Sequence, residues 1–285
     1  MRLWGGIFLV IAGLLLVGCS RSDSGDLGTM ESLRAAAEKG DAKAQNLLGT
    51  EYFSGELVAV DMERAVYWFQ KAADNGNSMA MYNLGVLYLN GNFLTEDYGK
   101  AHHYFSEAAR LGLPAAQTSL GLLYVKGIGV KKNMEEAVYW YRRAATFGKE
   151  ADVSRSYYEG HLLPHRQRQY LFGDPDAQFL LAGLLVEGKD GVKEDIQEAI
   201  RFYEDAASQG DGASMHQLAL LYGLRGKDLI SGYAWAKLAA RDSDDTSRIR
   251  TLSIITSKLE LNQRESADNL ASQFAAVIEK NRTSL

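Results

Sequence analysis

Residues 115–148 read AAQTSLGLLYVKGIGVKKNMEEAVYWYRRAATFG, and most of the chain is built from variants of this stretch. The glycine that ends it belongs to a series with a step of 36 residues, which a second pair continues at a step of 37: Gly40, Gly76, Gly112, Gly148, then Gly173 and Gly210. A period in this range is typical of stacked helix pairs, in which one unit cannot bury its own apolar face. The sequence therefore predicts an all-α fold of repeated helix pairs.

Each unit contains two amphipathic stretches. In the first, Leu120, Gly121 and Tyr124 fall on one stripe, where the glycine lets the paired helix approach. The second carries an aromatic residue and a pair of alanines, as in Trp140 and Ala144-Ala145. Glycines that can adopt positive φ are predicted to end the first helices, at Gly55, Gly91, Gly127 and Gly188. Asx residues are predicted to cap the second helices, at Asp61, Asp97, Asn133 and Asp195.

The pattern in residues 115–148 resembles the Sel1-like repeat, a relative of the tetratricopeptide repeat. The resemblance rests on many positions together: Ala116-Gln117, Leu120-Gly121, Tyr124, Gly127 to Val130, Asn133, Trp140-Tyr141 and Ala144-Ala145. It extends over residues 30–240. The resemblance implies a right-handed α-solenoid whose first helices line a concave face, and a role as an adaptor rather than an enzyme.

The ends of the repeat array and one interruption stand out. Met30 to Lys39 is predicted to be a lone second helix that caps the N-terminal end, and residues 241–285 are predicted to form a C-terminal cap of two helices. Residues 149–172 break the period, because Gly148 and Gly173 are 25 residues apart. Two interpretations stay open for this break. It is either a degenerate repeat unit or a dedicated contact surface made by its basic residues, namely His161, His165, Arg166 and Arg168.

The N-terminus has the form of a signal peptide over residues 1–18. Its apolar run is about 15 residues long, shorter than the roughly 20 that a spanning helix needs, so a transmembrane anchor is the weaker alternative. Residues 16–19, Leu-Val-Gly-Cys, resemble a bacterial lipobox, which implies that Cys19 becomes the first mature residue and carries lipid. Ser20 after it resembles lipoproteins sorted to the outer membrane, on its periplasmic face, with the inner membrane as the alternative. Residues 19–29 have the composition of a short tether.

Charge and cysteine content limit the possible partners. Without residues 1–18, the chain carries 30 cationic and 36 anionic side chains, a net charge of −6. Such a mildly acidic chain gives no support for nucleic-acid binding. Cys19 is the only cysteine, so no disulfide is expected and helix packing must provide the stability.

Motifs for catalysis or for cofactor binding are weak. Gly127-Ile128-Gly129-Val130 lacks the preceding strand and the Lys-Ser/Thr of a phosphate-binding loop. His161 and His165 have the spacing of a helical metal pair, but Pro164 lies between them. The sequence has no Ser-x-x-Lys, the motif of acylatable serines in β-lactam-binding enzymes. We therefore expect no catalytic residue, metal ion or cofactor.

The concave face is the first candidate for partner binding. By resemblance to tetratricopeptide-like solenoids, its outward positions are set by their spacing from the Leu-Gly pair. They are largely apolar with a few amides: Asn46, Thr50, Phe53, Tyr82, Val86, Leu89, Thr118, Leu122, Phe179 and His216. Such a face suits a partner helix or an extended peptide rather than a polyanion. The alternative is that a tight superhelix buries part of it. The basic residues at 161–168 form the second candidate surface.

Together these features predict a non-catalytic adaptor or scaffold lipoprotein of a Gram-negative envelope that binds a protein or peptide partner. One alternative is a scaffold for exopolysaccharide export or cell-wall assembly. An alternative of a different class is an enzyme or ligand-binder that acts on peptidoglycan or β-lactam-like compounds.

Overall fold

The computed structural model describes residues 30–91, 93–146, 173–226, 228–241 and 243–283. These residues contain thirteen α-helices, one short π-helix and no strand. The α-helices are α1 Met30–Glu38, α2 Ala42–Ser54, α3 Met62–Asp74, α4 Ser78–Asn90, α5 Tyr98–Arg110, α6 Pro114–Lys126, α7 Met134–Thr146, α8 Pro175–Glu187, α9 Ile196–Ser208, α10 Gly212–Ala219, α11 Leu229–Ala240, α12 Thr246–Lys258 and α13 Leu261–Thr283. The predicted all-α class of consecutive helix pairs is confirmed.

The described chain divides into two compact units. Unit 1 comprises residues 30–137, with α1 to α6 and the first turn of α7, and unit 2 comprises the described residues from 138 to 283. The signal peptide, Cys19 and the tether predicted at 19–29 lie outside the described residues, as do His161, His165, Arg166 and Arg168. Among the described helices, none is long and apolar enough to cross a membrane.

The helix ends follow the signals predicted from the sequence. The four loop glycines end their helices with φ between 57° and 73°: Gly55, Gly91, Gly127 and Gly188. The Asx side chains accept hydrogen bonds from the backbone N–H three residues further on: Asp61, Asp97, Asn133 and Asp195. Each of these bonds satisfies an N–H group that has no partner within its helix, and contributes about 0.5–2 kcal/mol.

The two helices of a repeat pack closely because a glycine on one faces an aromatic ring on the other. A Cβ atom on Gly49 of α2 would lie 2.7 Å from Cδ1 of Phe69 in α3. A Cβ atom on Gly85 of α4 would lie 2.7 Å from Cε1 of Phe105 in α5. Both rings are fully buried. A larger residue at either glycine would therefore push the helices apart, as the Leu-Gly pattern predicts.

Successive repeats are also joined by a buried hydrogen bond that the sequence reasoning missed. The glutamine of the Ala-Gln pair donates from Nε2 to the carbonyl of the second alanine in the preceding helix, over 2.9–3.1 Å: Gln45 to Ala37, Gln117 to Ala109 and Gln178 to Ala145. Two repeats carry methionine at this position, Met81 and Met215, which has no N–H to donate. The bond satisfies a buried amide that would otherwise cost free energy. It fixes how a first helix sits on the repeat before it.

The residues on either side of the break in the period can be compared with a regular turn between repeats. In a regular turn, the backbone N–H of Asn77 donates to the carbonyl of Ala72 at 2.9 Å. Across the break, the N–H of Asp174 donates to the carbonyl of Ala144, also at 2.9 Å. The residues that flank the break are thus bonded as in consecutive repeats, although 30 positions separate them. The break itself at 149–172 lies outside the described residues, so the degenerate unit and the dedicated contact surface both stay open as interpretations.

Acidic groups gather where α8 begins. Asp174 caps this helix by accepting hydrogen bonds from the backbone N–H groups of Asp176 and Ala177. Burial, and then the negative charges of Asp174 and Asp211, raise the pKa of the Asp176 carboxyl to about 7. The folded chain therefore keeps a proton there that the unfolded chain releases near pH 4, at about the usual pKa of aspartate.

The two helices predicted beyond residue 240 are present and close the end of unit 2. Trp235 of α11 stacks on Phe274 of α13, with ring centroids 4.2 Å apart. Residues 220–225 form a π-helix that the sequence pattern did not indicate. Here the backbone of α11 comes very close, since a Cβ atom on Gly232 would lie 2.4 Å from Cα of Gly223.

Gly85→Ala tests the glycine contact. The added methyl group would overlap the Phe105 ring, so we expect a loss of about 1–3 kcal/mol in the free energy of unfolding. Thermal unfolding followed by far-UV circular dichroism measures this loss as a lower Tm. Gly183→Ala in α8 is the matched control, because a Cβ atom there would meet the Tyr203 hydroxyl at an ordinary 3.7 Å. That variant should gain roughly 0.5–1 kcal/mol, and equal Tm values would contradict the role of the contact.

Asp176→Asn tests the buried carboxyl. Because the folded-state pKa is raised, stability falls as pH rises from about 4 to about 7, and the neutral amide removes this loss. We expect the variant to exceed the parent chain in Tm by on the order of 5 °C at pH 8, with the difference shrinking steadily as the pH is lowered. Asp244→Asn, at an exposed loop position, should leave the shape of the pH profile unchanged. A difference for Asp176→Asn that does not vary with pH would contradict the assignment.

Candidate functional site

Helix α2 carries three of the predicted partner-binding residues in a row. Asn46, Thr50 and Phe53 are all half-buried. The Asn46 side-chain oxygen accepts a hydrogen bond from Asn83 of α4 at 3.3 Å, and Thr50 donates to the Asn46 backbone carbonyl at 3.1 Å. The Phe53 ring meets Phe93 edge-on, with centroids 6.1 Å apart. The row therefore runs from an amide at one end to an aromatic pair at the other.

In helix α4, two of the three predicted partner-binding residues are buried. Tyr82 and Val86 are 1% and 0% exposed, so neither can serve as an accessible docking residue. The Tyr82 ring packs against Phe105 with centroids 5.6 Å apart. The physical reason is that α4 packs between α3 and α5, which covers most of its circumference. Only Leu89 among the three predicted residues of this helix keeps a half-exposed side chain.

Helix α6 contributes Thr118 and Leu122, which are one turn apart and both half-buried. With the residues of α2 and α4, they complete a set of uncharged side chains in unit 1 that a partner can reach. We call this set the first-helix face: Asn46, Thr50, Phe53, Leu89, Thr118 and Leu122. Its Asn46 amide keeps two N–H donors, because the bond from Asn83 uses only the oxygen.

The predicted residues of unit 2 have partners within the chain. The Phe179 ring lies 5.7 Å from the Tyr203 ring and is half-buried. The Nε2 atom of His216 lies 3.0 Å from the Thr251 hydroxyl of α12. Burial, and then the positive charge of Arg248, lower the pKa of this imidazole. His216 therefore ties α10 to the C-terminal cap, and its role in docking stays a prediction.

Of the adjacent histidines His102 and His103, the first packs within the structure. His102 is half-buried edge-on to Tyr124, with centroids 5.7 Å apart, whereas His103 is exposed. Burial, followed by the charges of His103 and Arg110, lowers the pKa of His102. Within the described ranges, no three His, Cys, Asp or Glu side chains are grouped so that they could hold a metal ion.

The Gly-x-Gly loop and the tryptophans also have structural roles, as predicted. Gly129 adopts φ 67°, and a Cβ atom on it would lie 2.1 Å from the Tyr98 carbonyl oxygen, so this glycine allows the loop to pack on the repeat before it. Trp68 packs edge-on against Tyr67, with centroids 5.1 Å apart. The sequence did not identify Asn83 and Phe93, which support the first-helix face. Each contacts a predicted residue of the repeat before it, Asn46 and Phe53 respectively, and no pattern in the sequence marks these contacts.

Solved structures with the same fold include Sel1-repeat proteins. A Sel1 repeat protein from Oxalobacter formigenes superposes with a TM-score of 0.63 at 24% identity, over 95% of this chain and 98% of that one. The protein c5321, a protective antigen of uropathogenic Escherichia coli with an SLR fold, superposes with a TM-score of 0.50 at 28% identity. That match covers 87% of this chain and 56% of the length of c5321.

Sequence comparison gives the family directly. No curated protein matches the chain significantly. The Sel1 repeat model matches residues 42–77, 78–113, 114–146, 175–211 and 212–244, which is more than half of the chain. The matched repeats leave out residues 147–174, which include the break in the period. This chain therefore belongs to the Sel1-repeat family, whose members are typically scaffolds for protein interactions.

Proposed function

We propose that this protein is a non-catalytic scaffold of the bacterial envelope that binds a protein or peptide through the first-helix face of unit 1. Lipid on Cys19 anchors it to the outer membrane, on the periplasmic side. The observation that carries the binding proposal is the set of six half-buried, uncharged side chains on α2, α4 and α6. Half-buried apolar and amide groups can be covered by a partner at little desolvation cost, whereas charged groups cannot.

The first-helix face also indicates the chemistry of the partner. Phe53, Leu89 and Leu122 offer apolar contact, and the Asn46 amide offers N–H donors for a carbonyl or carboxylate oxygen. An amphipathic helix or an extended segment with one or two large apolar anchors meets both demands. The absence of charged side chains from these six positions disfavours nucleic acid as the partner.

The anchor proposal rests on the lipobox-like residues 16–19 and on the position of the only cysteine within them. More than one acyl chain gives stable anchoring where a single chain does not, because each buried methylene contributes only about 0.8 kcal/mol. A structurally similar protein of uropathogenic Escherichia coli is a protective antigen, which is consistent with an exported location for this chain.

Cys19→Ala tests the anchor. Without the thiol there is no site for the lipid, so the variant should leave the membrane fraction that the parent protein occupies. Cell fractionation followed by immunoblotting measures the distribution. Ser20→Asp is the matched control, since it keeps the cysteine but removes the feature that resembles outer-membrane sorting. It should remain membrane-bound and shift toward the inner membrane. A Cys19→Ala variant that still fractionates with membranes would overturn the proposal.

Thr50→Arg and Leu122→Arg test the first-helix face. Each variant places a charge among half-buried uncharged groups, so docking a partner would bury an unpaired cation. We expect the yield of a crosslinked complex in intact cells to fall about tenfold or more in each variant. Circular dichroism should show unchanged helicity.

Tyr67→Arg is the control for these substitutions, because Tyr67 lies on the second helix α3 with 54% of its surface exposed. Its complex yield should match that of the parent protein. If yield persists in Thr50→Arg and Leu122→Arg but is lost when Arg166 and Arg168 are changed to glutamate, the contact surface is the basic stretch that includes His161 and His165. That result would reject the first-helix face.

A further inference from the structure

The exposed apolar side chains of unit 1 are concentrated on one edge. This loop edge consists of the segments that join first to second helices: residues 55–61, 91–97 apart from 92, and 127–133. Six large apolar side chains of unit 1 are exposed among the described residues, and three lie on the loop edge: Leu57, Val60 and Phe93, at 62%, 60% and 55%. A fourth, Tyr98, directly follows it. Exposed apolar side chains mark a contact surface when they adjoin one another, and Leu57 and Val60 lie on the same short loop.

The opposite edge of unit 1 is different in character. This turn edge joins second to first helices, at residues 39–41, 75–77 and 111–113. It carries helix caps and glycines, and Leu111 is its exposed large apolar residue among those described, at 50%. Leu111 is thus an exposed apolar reference position on the opposite edge, with which the residues of the loop edge can be compared.

The chain enters unit 1 at the loop edge. Helix α1 runs antiparallel to α2, because Ala37 near its C-terminal end accepts a hydrogen bond from Gln45 near the start of α2. One turn from its other end, Arg34 donates to the Tyr52 hydroxyl near the end of α2, at 3.1 Å. Met30 therefore lies beside the loop that follows α2, and it packs against the same core cluster as Val58 of that loop.

The distance from Met30 to the proposed lipid is short. Eleven residues, 19–29, connect the two. A flexible segment of that length has a root-mean-square span of about 18 Å, from roughly 5–6 Å times the square root of the residue number. A lipid on Cys19 would consequently hold the loop edge close to the bilayer surface.

Acidic side chains outnumber basic ones on the loop edge, which carries Glu56, Asp61, Glu96, Asp97, Lys131 and Lys132. Asp61 pairs with Arg64, and Asp97 pairs with Lys100. Lys131 on the third loop is exposed and can approach a lipid phosphate. Because the loop edge has four carboxylates and two lysines, anionic lipid does not attract it, and the apolar side chains and the lipid anchor must supply the affinity.

We propose that the loop edge of unit 1 is a membrane-contacting surface on which Leu57, Val60 and Phe93 enter the interfacial region of a phospholipid bilayer. This inference rests on the lipid anchor proposed at Cys19. It adds that the protein lies against the membrane by a defined edge and does not move freely at the end of its tether.

The test places an environment-sensitive fluorophore at Leu57→Cys, Phe93→Cys or Leu111→Cys in the full lipidated chain. Because Cys19 is the only native cysteine and carries the lipid, the introduced thiol is the one available for labelling. The proteins are bound to vesicles of phosphatidylethanolamine and phosphatidylglycerol that contain nitroxide-labelled lipid. Quenching by the nitroxide should be about twofold or more stronger at Leu57 and Phe93 than at Leu111, since only the first two enter the bilayer interface.

Flotation of the vesicles separates the two proposals. Protein that does not float with the vesicles contradicts the anchor, and this inference with it. Protein that floats but shows equal quenching at all three positions contradicts the inference alone. A fluorophore at Leu57 or Phe93 that reports an apolar environment without nitroxide quenching would show that another protein covers the edge, which also overturns the inference.

Discussion

Contact between a glycine of one helix and an aromatic ring of its partner is the constraint on which the rest of the fold depends. Gly49 and Gly85 let the helix axes approach, and the space beside them is filled by alanines such as Ala65 and Ala72, which are 0% exposed. An interface of such small residues can be satisfied only at one separation and rotation of the two helices. Each pair therefore has a fixed shape, and stacking requires only that its edges match the next pair.

Because stacking is local, the repeats on the two sides of the break at 149–172 can stack directly on one another. The bonds that link Asp174 to Ala144 and Gln178 to Ala145 reproduce those of an uninterrupted turn. Arg142 and Glu198 add an ion pair across the break, with N–O distances of 2.5 and 2.8 Å. The entropic cost of bringing two positions of a chain together grows only with the logarithm of the number of residues between them, so the longer separation across the break adds little to that cost.

The structural features that the sequence predicted correctly depend on residues close together in the chain. Helix ends such as Gly55 and Asp61 depend on backbone conformation and on a partner within a few positions, so local signals suffice. The burial of Tyr82 was left open and the hydrogen bond of His216 was not predicted, because both depend on distant elements, in the second case on Thr251, 35 residues away. The sequence shows that glutamine recurs at the repeat position of Gln117. It does not show the stacking role, because the hydrogen-bond acceptor is a backbone carbonyl.

The first-helix face meets the loop edge at one of its ends, which gives the face a direction relative to the bilayer. Helix α2 runs from the turn edge to the loop edge, so its Phe53 end lies next to the loops and its Asn46 end lies about 10 Å further away, at 1.5 Å per residue. With the loop edge on a bilayer, the aromatic end of the face is nearest the lipid and the amide end points toward the aqueous space. A partner segment with an apolar anchor at its membrane-proximal end matches that order, whereas the reversed segment leaves the anchor beside Asn46. The short tether would then select the direction in which a partner docks as well as the membrane on which it does so.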